Sequence, residues 1–261
     1  MSSDEMEFGF REPAAAYVSG SQKARVWTER WVSEWLYCPN CGNSQINQFT
    51  ANLPVADFYC PSCHDQYELK SQKKPFGKKI ANGAYKTKIE RLASAKNPNL
   101  MLLNYDAERK SVQEICIVPK HFFVPEIVEE RTPLAPTARR AGWIGSNILL
   151  WQIPQAGRIQ IVKSGAVVPK DRVLEQWRQT VFLRDQSIES RGWLMEVMKC
   201  VDVFGDRDFY LNEVYLFELS LAAKYPKNNN IRAKIRQQLQ ILRDSGYIDF
   251  VSPGHYRRIP K

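Results

Sequence analysis

Four cysteines and the charged residues Asp57, Glu68 and Lys70 interleave within residues 38–70, CPNCGNSQINQFTANLPVADFYCPSCHDQYELK. Cys38/Cys41 and Cys60/Cys63 form two CxxC pairs separated by 18 residues. A CxxC turn lets two sulfurs point at one ion, and tetrahedral zinc takes four thiolates from two such turns. The spacing falls in the structural zinc range, and Pro and Gly in CPNCG and CPSCH suit tight knuckles. Two redox pairs, or plain buried cysteines, are the other readings of this pattern. His64, beside Cys63, could replace it as a ligand. Four protein ligands leave no open coordination position, so zinc here would be structural.

Asp57 and Glu68-Leu69-Lys70 run through the same stretch. Residues 55–59 and 67–71 read as strands. Alternate residues of a strand share a face, so Glu68 and Lys70 point one way and Leu69 the other. Asp57, on the preceding strand, is expected to meet Glu68 across the hairpin. Two such carboxylates suit Mg2+, which prefers carboxylates and water. Lys70 would orient or help deprotonate a water attacking a phosphodiester. A D…ExK trio also arises by chance, and an ordinary exposed Glu-x-Lys face is the competing reading.

The elements that must hold these residues follow from the chain around them. A helix is expected from Ser21, with Trp27, Trp31 and Trp35 on one core-facing stripe. A helix over 80–95, strands over 100–106 and 112–119, a hairpin over 157–168 and a helix over 170–184 complete a mixed α/β unit. Residues 119–157 read as loop-rich because of five prolines, and include the segment LAPTARRAGWIGSN (134–147) with Arg139, Arg140 and Trp143. Arginines with an aromatic in a loop suit groove insertion; Trp143 anchoring the loop to the core reads equally well. A domain boundary is expected at 185–190, dividing the chain into 1–187 and 188–261. Helices over 190–204, 211–224 and 228–246, then a hairpin over 247–259, have the order of a winged helix. In the third helix, Arg232, Arg236, Gln237 and Gln240 lie off the apolar stripe of Ile231, Ile235, Leu239 and Leu242. Arg and Gln can read guanine and adenine edges, while Arg257 and Arg258 on the wing suit phosphates.

Composition narrows the class. Hydrophobic residues make up 44% and charged residues 25% of 261, which is ordinary for a globular protein. No run of 18 apolar residues exists, so no membrane-spanning helix is expected. The start, MSSDEMEFGFREP, lacks a basic-then-apolar leader, and an intracellular, cytoplasmic protein is expected. Six cysteines do not make a disulfide scaffold in such a chain, and Cys116 and Cys200 lie in apolar runs. The net charge is +9 and the pI about 9.2. The excess is uneven: nine Lys/Arg against one acid over 69–96, and nine against two over 131–184. Such clusters suit a polyanion, or are simply a solvated basic surface.

Three stretches, NLPVADFYCPSCHDQYELKS, PLAPTARRAGWIGSN and IRQQLQILRD, strongly resemble the DpnI family of methyl-directed type IIM restriction endonucleases. The resemblance runs from about Ser21 to the C-terminus. It implies a PD-(D/E)xK nuclease domain with a zinc site, followed by a winged helix. It also implies cleavage of double-stranded GATC carrying N6-methyladenine, with both domains reading the site. The family's metal-binding acids correspond to Asp57 and Glu68, its lysine to Lys70 and its zinc thiolates to Cys38, Cys41, Cys60 and Cys63. Ala56 stands where the general nuclease pattern has proline. Under the same reading Trp143 is the candidate methyl sensor, because an aromatic face rewards an apolar methyl in the major groove. A bacterial, monomeric protein is expected. Two other functions remain compatible with the residues: a non-catalytic zinc and winged-helix regulator that reads methylated DNA, and a zinc-bearing RNA-binding protein.

Overall fold

The computed structural model describes residues 8–9, 19–50, 56–92 and 97–259. Most of the first eighteen residues, Val55 of the first expected strand and 93–95 of the helix expected over 80–95 lie outside them.

Helix α1 (Gly20–Trp35) leads into the strands β1 (Asn47–Gln48), β2 (Phe58–Tyr59), β3 (Gln66–Gln72) and β4 (Lys79–Ala84). Helix α2 (Tyr85–Leu92) follows, then β5 (Asn99–Asp106), β6 (Ser111–Val118), β7 (Val128–Glu130), β8 (Gly145–Leu149), β9 (Ile159–Lys163), β10 (Ala166–Val167) and helix α3 (Lys170–Arg178). The main sheet has the order β1-β2-β3-β5-β6-β9-β10. Only β3 and β5 run parallel, with Glu68 opposite Leu100 and Lys70 opposite Leu102. A parallel pair needs a crossover, and β4 with α2 supplies it. Asn99 and Asn104, at the two ends of β5, fix the pairing: their amides donate to the backbone carbonyls of Gln66 and Gln72 at 3.0 and 3.1 Å.

Strand β5 is buried on both faces, so its residues alternate between two interiors. Met101, Leu103 and Tyr105 pack with Trp31, Val32 and Leu36 of α1 and with Val173 and Trp177 of α3. Leu100 and Leu102 face the other interior, with Phe122, Phe123, Ile148 and Ile153. Trp31 is the buried centre of the tryptophan stripe; Trp35 packs partly exposed beside it.

The helix expected over 80–95 is corrected in its first half. Residues 79–84 form a strand, and the helix begins only at Tyr85. The alternating exposure of β4 matches a strand paired along one edge. Its partner is β8, with Ile80 opposite Ile148 and Asn82 opposite Ser146. The proline-rich stretch 119–157 is corrected likewise: it contributes β7 and β8 to a small antiparallel sheet, β4-β8-β7. The strand expected at 55–59 is short, because Asp57 sits in a bend just before β2.

The C-terminal part is a winged-helix domain. Helix α4 (Ile188–Asp202), strand β11 (Phe209–Tyr210), helices α5 (Leu211–Tyr215), α6 (Glu218–Lys224) and α7 (Ile231–Asp244), and strands β12 (Ile248–Ser252) and β13 (His255–Arg258) follow in order. The single helix expected over 211–224 breaks at Leu216–Phe217, and β11 adds an unexpected third strand, giving the order β11-β13-β12. The Ser187 hydroxyl caps α4 by accepting from Ser190 N–H at 3.2 Å. Gly246, at φ +72°, follows the end of α7 as a left-handed residue.

Candidate functional site

The two knuckles are built alike. Cys38 N–H donates to Asn43 O at 2.8 Å and Gly42 N–H to Cys38 O at 2.8 Å; Cys60 N–H donates to Asp65 O at 2.9 Å and His64 N–H to Cys60 O at 3.0 Å. The residue after each second cysteine is left-handed, Gly42 at φ +77° and His64 at φ +60°. His64 therefore serves the turn with its backbone, while its side chain is exposed and outside the sulfur cluster.

The four sulfurs lie within 4.8 Å of one another. Cys38 Sγ is 3.6 Å from Cys63 Sγ and Cys41 Sγ is 3.5 Å from Cys60 Sγ. Sulfurs at the corners of a tetrahedron with Zn–S of about 2.3 Å stand roughly 3.8 Å apart, so the cluster is consistent with structural zinc. The Tyr67 hydroxyl lies 3.1 Å from Cys38 Sγ, and the Asn40 amide 3.5 Å from Cys63 Sγ. Such hydrogen-bonding groups around the ligands orient the sulfurs. Burial pushes the Cys38 thiol well up and the Cys63 thiol to about 11. Burial pushes Cys60 upward too, but the N–H groups of Cys63 and Ser62 outweigh it and draw the thiol down to about 7.

Asp65 ties the second knuckle to the rest of the fold. Its buried carboxylate accepts from the Asn40 amide at 2.7 Å and pairs with Lys120 at 2.9 Å and Arg184 at 3.5 Å. Two cations and an amide satisfy a carboxylate that burial alone would disfavour.

The second turn connects β2 to β3, so its geometry fixes both strands. Phe58 pairs with Tyr67 and Tyr59 with Gln66. Asp57 N–H donates to Tyr67 O at 2.9 Å. One step along, Asp57 Oδ2 accepts from Leu69 N–H at 2.7 Å. The Asp57 carboxylate is thereby held on the backbone of Leu69, between Glu68 and Lys70 in the chain, and is not among the residues that line the cleft described next. Tyr67 and Leu69 turn into the α1 interior. Glu68 and Lys70 open instead into a cleft of about 320 Å³, lined also by Asn82, Gly83, Thr87, Lys88 and Arg91. Lys70 Nζ is 2.8 Å from Glu68 Oε1.

Burial raises the Asp57 carboxyl above its usual range; the Leu69 N–H opposes this, and the charges of Glu29 and Glu68 add to it. Glu29 on α1 was not foreseen from sequence, because its proximity depends on how α1 packs over β3. Arg25 Nη2, 3.7 Å from Asp57 Oδ1, was missed for the same reason. Asp57 feels the charges of both Glu29 and Glu68, which makes a cation a favourable neighbour for this group of carboxylates.

The Trp143 segment forms the closed tip of the β7–β8 hairpin. Leu134 N–H donates to Trp143 O and Gly142 N–H to Leu134 O, both at 3.0 Å. Arg139 and Arg140 are exposed. The Arg140 guanidinium lies 4.7 Å from the centre of the Trp143 ring. The ring also lies against Gly145, where a Cβ would stand 2.8 Å from it. The tip adjoins the cleft: Ser146 Oγ donates to Gly83 O at 2.9 Å and Tyr85 N–H to Ile144 O at 3.1 Å.

In the winged helix, Arg232, Arg236, Gln237 and Gln240 lie exposed along one face of α7. Arg232 pairs with Glu218 at 2.8 Å, and Arg236 donates to the Tyr215 hydroxyl at 2.8 Å. Arg257 is exposed and pairs with Asp208 through two contacts of 2.8 and 2.9 Å. Arg258 is corrected as a wing contact. It is 5% exposed and turned inward, with Nη2 3.2 Å from Asp202 Oδ1. Arg258→Ala would leave the largely buried Asp202 carboxylate with the Gln155 N–H but without its cation, a loss of about 2 kcal/mol. The melting temperature is expected to fall by several degrees; an unchanged Tm with weakened DNA binding would restore the surface role.

A mixed α/β protein of this kind, with a knuckled hairpin and a winged helix, has an architecture common among nucleic-acid-recognising proteins. The family model described as DpnI, Dam-replacing family, matches residues 6–186, and that of the Dam-replacing HTH domain matches residues 189–258. The chain belongs to the DpnI, or Dam-replacing, family. Membership supports a DNA-recognising protein whose recognition depends on methylation, and is consistent with a nuclease. Among the described residues no helix is long and apolar enough to cross a membrane.

Proposed function

We propose that this chain is a type II restriction endonuclease that hydrolyses double-stranded DNA at GATC sites containing N6-methyladenine. The observation that carries the reading is the cleft in which Glu68 and Lys70 stand side by side, with Asp57 bonded to the backbone between them. Asp57 and Glu68 would hold Mg2+. When bound, that ion supplies Lewis-acid stabilisation of phosphate charge and a more acidic water. Lys70, hydrogen-bonded to Glu68, orients the attacking water and offsets charge developing on the phosphate. Cys38, Cys41, Cys60 and Cys63 would hold Zn2+ as a structural ion. Residues 1–187 act as the nuclease unit and 188–261 as a second reader of the methylated site. Along α7, Arg232, Arg236, Gln237 and Gln240 face the duplex. The protein acts as a monomer in the bacterial cytoplasm.

The test is digestion of adenine-methylated and unmethylated plasmid with magnesium present. Cutting confined to methylated GATC is expected. Equal cutting of both sinks the methyl dependence. Binding without cutting under every divalent ion turns the reading into that of a non-catalytic methyl-DNA regulator.

Trp143 is the proposed methyl sensor, its ring in contact with Gly145 and close to the Arg140 guanidinium. In Gly145→Ala the new methyl meets the ring, so the ring must move. The ratio of methylated to unmethylated cutting is expected to fall about tenfold, since one apolar contact is worth roughly 1–3 kcal/mol. An unaltered ratio would remove Trp143 from that role.

A further inference from the structure

The cleft holds more positive charge than its known acids require. Lys70, Lys88 and Arg91 line it together with a single carboxylate, Glu68. Lys88 and Arg91 are one turn apart on α2, and Thr87 stands beside them. Lys88 is 7% exposed, with its amine committed to Asn97 Oδ1 at 3.1 Å and to the Phe123 ring at 4.5 Å. Burial and the nearby charges of Lys70 and Arg91 lower its pKa, against the pull of Glu68. Like charges gathered around one carboxylate repel, so the arrangement suits an incoming anion.

Arg91 is the free member of the group. More than half of the described arginines lie within 4.0 Å of a carboxylate, Arg30 on Glu34, Arg207 on Glu213 and Arg257 on Asp208 among them. Among the described residues Arg91 has no such partner. A half-buried guanidinium left unpaired on a cleft wall is a fork for a phosphate, which it can grip through two parallel N–H donors.

We propose that Arg91 binds a backbone phosphate of the DNA strand lying in the cleft and seats that strand against Glu68 and Lys70. Lys88 adds charge beneath it, and Thr87 offers a hydroxyl at the rim. The proposal rests on the nuclease reading for its substrate, but its test does not require cutting.

The experiment measures affinity for a short methylated GATC duplex by fluorescence anisotropy in calcium, at several salt concentrations. Arg91→Ala is compared with Arg91→Lys and with the native chain. Arg91→Ala is expected to weaken binding about tenfold, as for loss of a charged hydrogen-bonded contact. Its log–log salt slope should shrink by about 0.9, the share of one phosphate. Arg91→Lys should keep the slope. Single neutral methylphosphonates are then walked along the strand. One position should weaken binding by the native chain and have no further effect on Arg91→Ala. Native affinity in Arg91→Ala, or the absence of any such coupled position, overturns the proposal. So does a fall of several degrees in Tm with the coupling unchanged, which marks a structural arginine. If the native chain cuts no DNA, the nuclease reading fails and this binding cycle still decides the phosphate contact.

Discussion

Lys70→Ala is expected to bind methylated duplex with near-native affinity and to cut it on the order of 10³-fold more slowly, the scale of a lost proton-transfer or charge-stabilising group. The reasoning starts at β3. Leu69 is fixed in the α1 interior and its N–H is bonded to Asp57, so the residues on either side project together into the cleft. Among the described residues the carboxylate paired with Lys70 is that of Glu68. Both side chains remain partly exposed, so their ion pair contributes about 1 kcal/mol or less to stability. Tm should therefore move by only a few degrees. Slow cutting beside native binding and native Tm assigns Lys70 to the chemical step. Retained cutting would remove its assigned role.

Stripping the metal from the cysteine cluster is expected to abolish both cutting and the cooperative melting of the native state. Structural zinc sites contribute apparent binding free energies of about 10–16 kcal/mol in small domains, comparable with the whole stability of a typical protein at about 5–15 kcal/mol. Here the cluster closes the turn between β2 and β3, and Asp57 and Glu68 sit on the two sides of that turn. Cys60→Ser should reproduce the effect. The direction with pH follows from the thiols. Cys63, at about 11 in the metal-free cluster, and Cys38, higher still, hold their protons at neutral pH. Ligation must release those protons, so metal is held less firmly as pH falls. Loss of zinc to a chelator should therefore be faster at pH 6 than at pH 8. Full cutting by protein shown by elemental analysis to be zinc-free would break the link between the two centres.

The residues that are close in sequence were legible before any coordinates. CxxC spacing, the Glu-x-Lys alternation and the order of three helical stretches before a hairpin each depend on local geometry, and each recurs in the fold, the middle stretch as two short helices. What sequence hid depends on distant pairing. Residues 79–84 look like a basic helix until β8 is known to lie beside them, some 65 residues further along the chain. The prolines of 119–157 suggested loops, yet β7 and β8 lie between them. The walls of the cleft were hidden for the same reason: Arg91 and Thr87 meet Glu68 only because the crossover lays α2 over β3. Arg258 reads as a surface arginine beside Arg257, but adjacent strand residues face opposite ways, and only one of the two can reach solvent.

One interior serves two parts of the molecule. Leu100 and Val118 of the main sheet, Phe122 and Ile153 beyond it, Trp193 and Met198 of α4, and Leu239 and Leu242 of α7 belong to a single apolar cluster. Polar ties follow the same seam: Asp202 Oδ2 accepts from Gln155 N–H at 2.7 Å, and Gln152 accepts from Lys199 at 2.6 Å. Joined parts of a chain swing freely only when little apolar surface binds them. Helix α7 and the cleft at Glu68 and Lys70 therefore stand at a preset offset, like two marks on a ruler. A duplex that engages both parts then needs no closing motion, and no ordering of one part against the other is lost on binding.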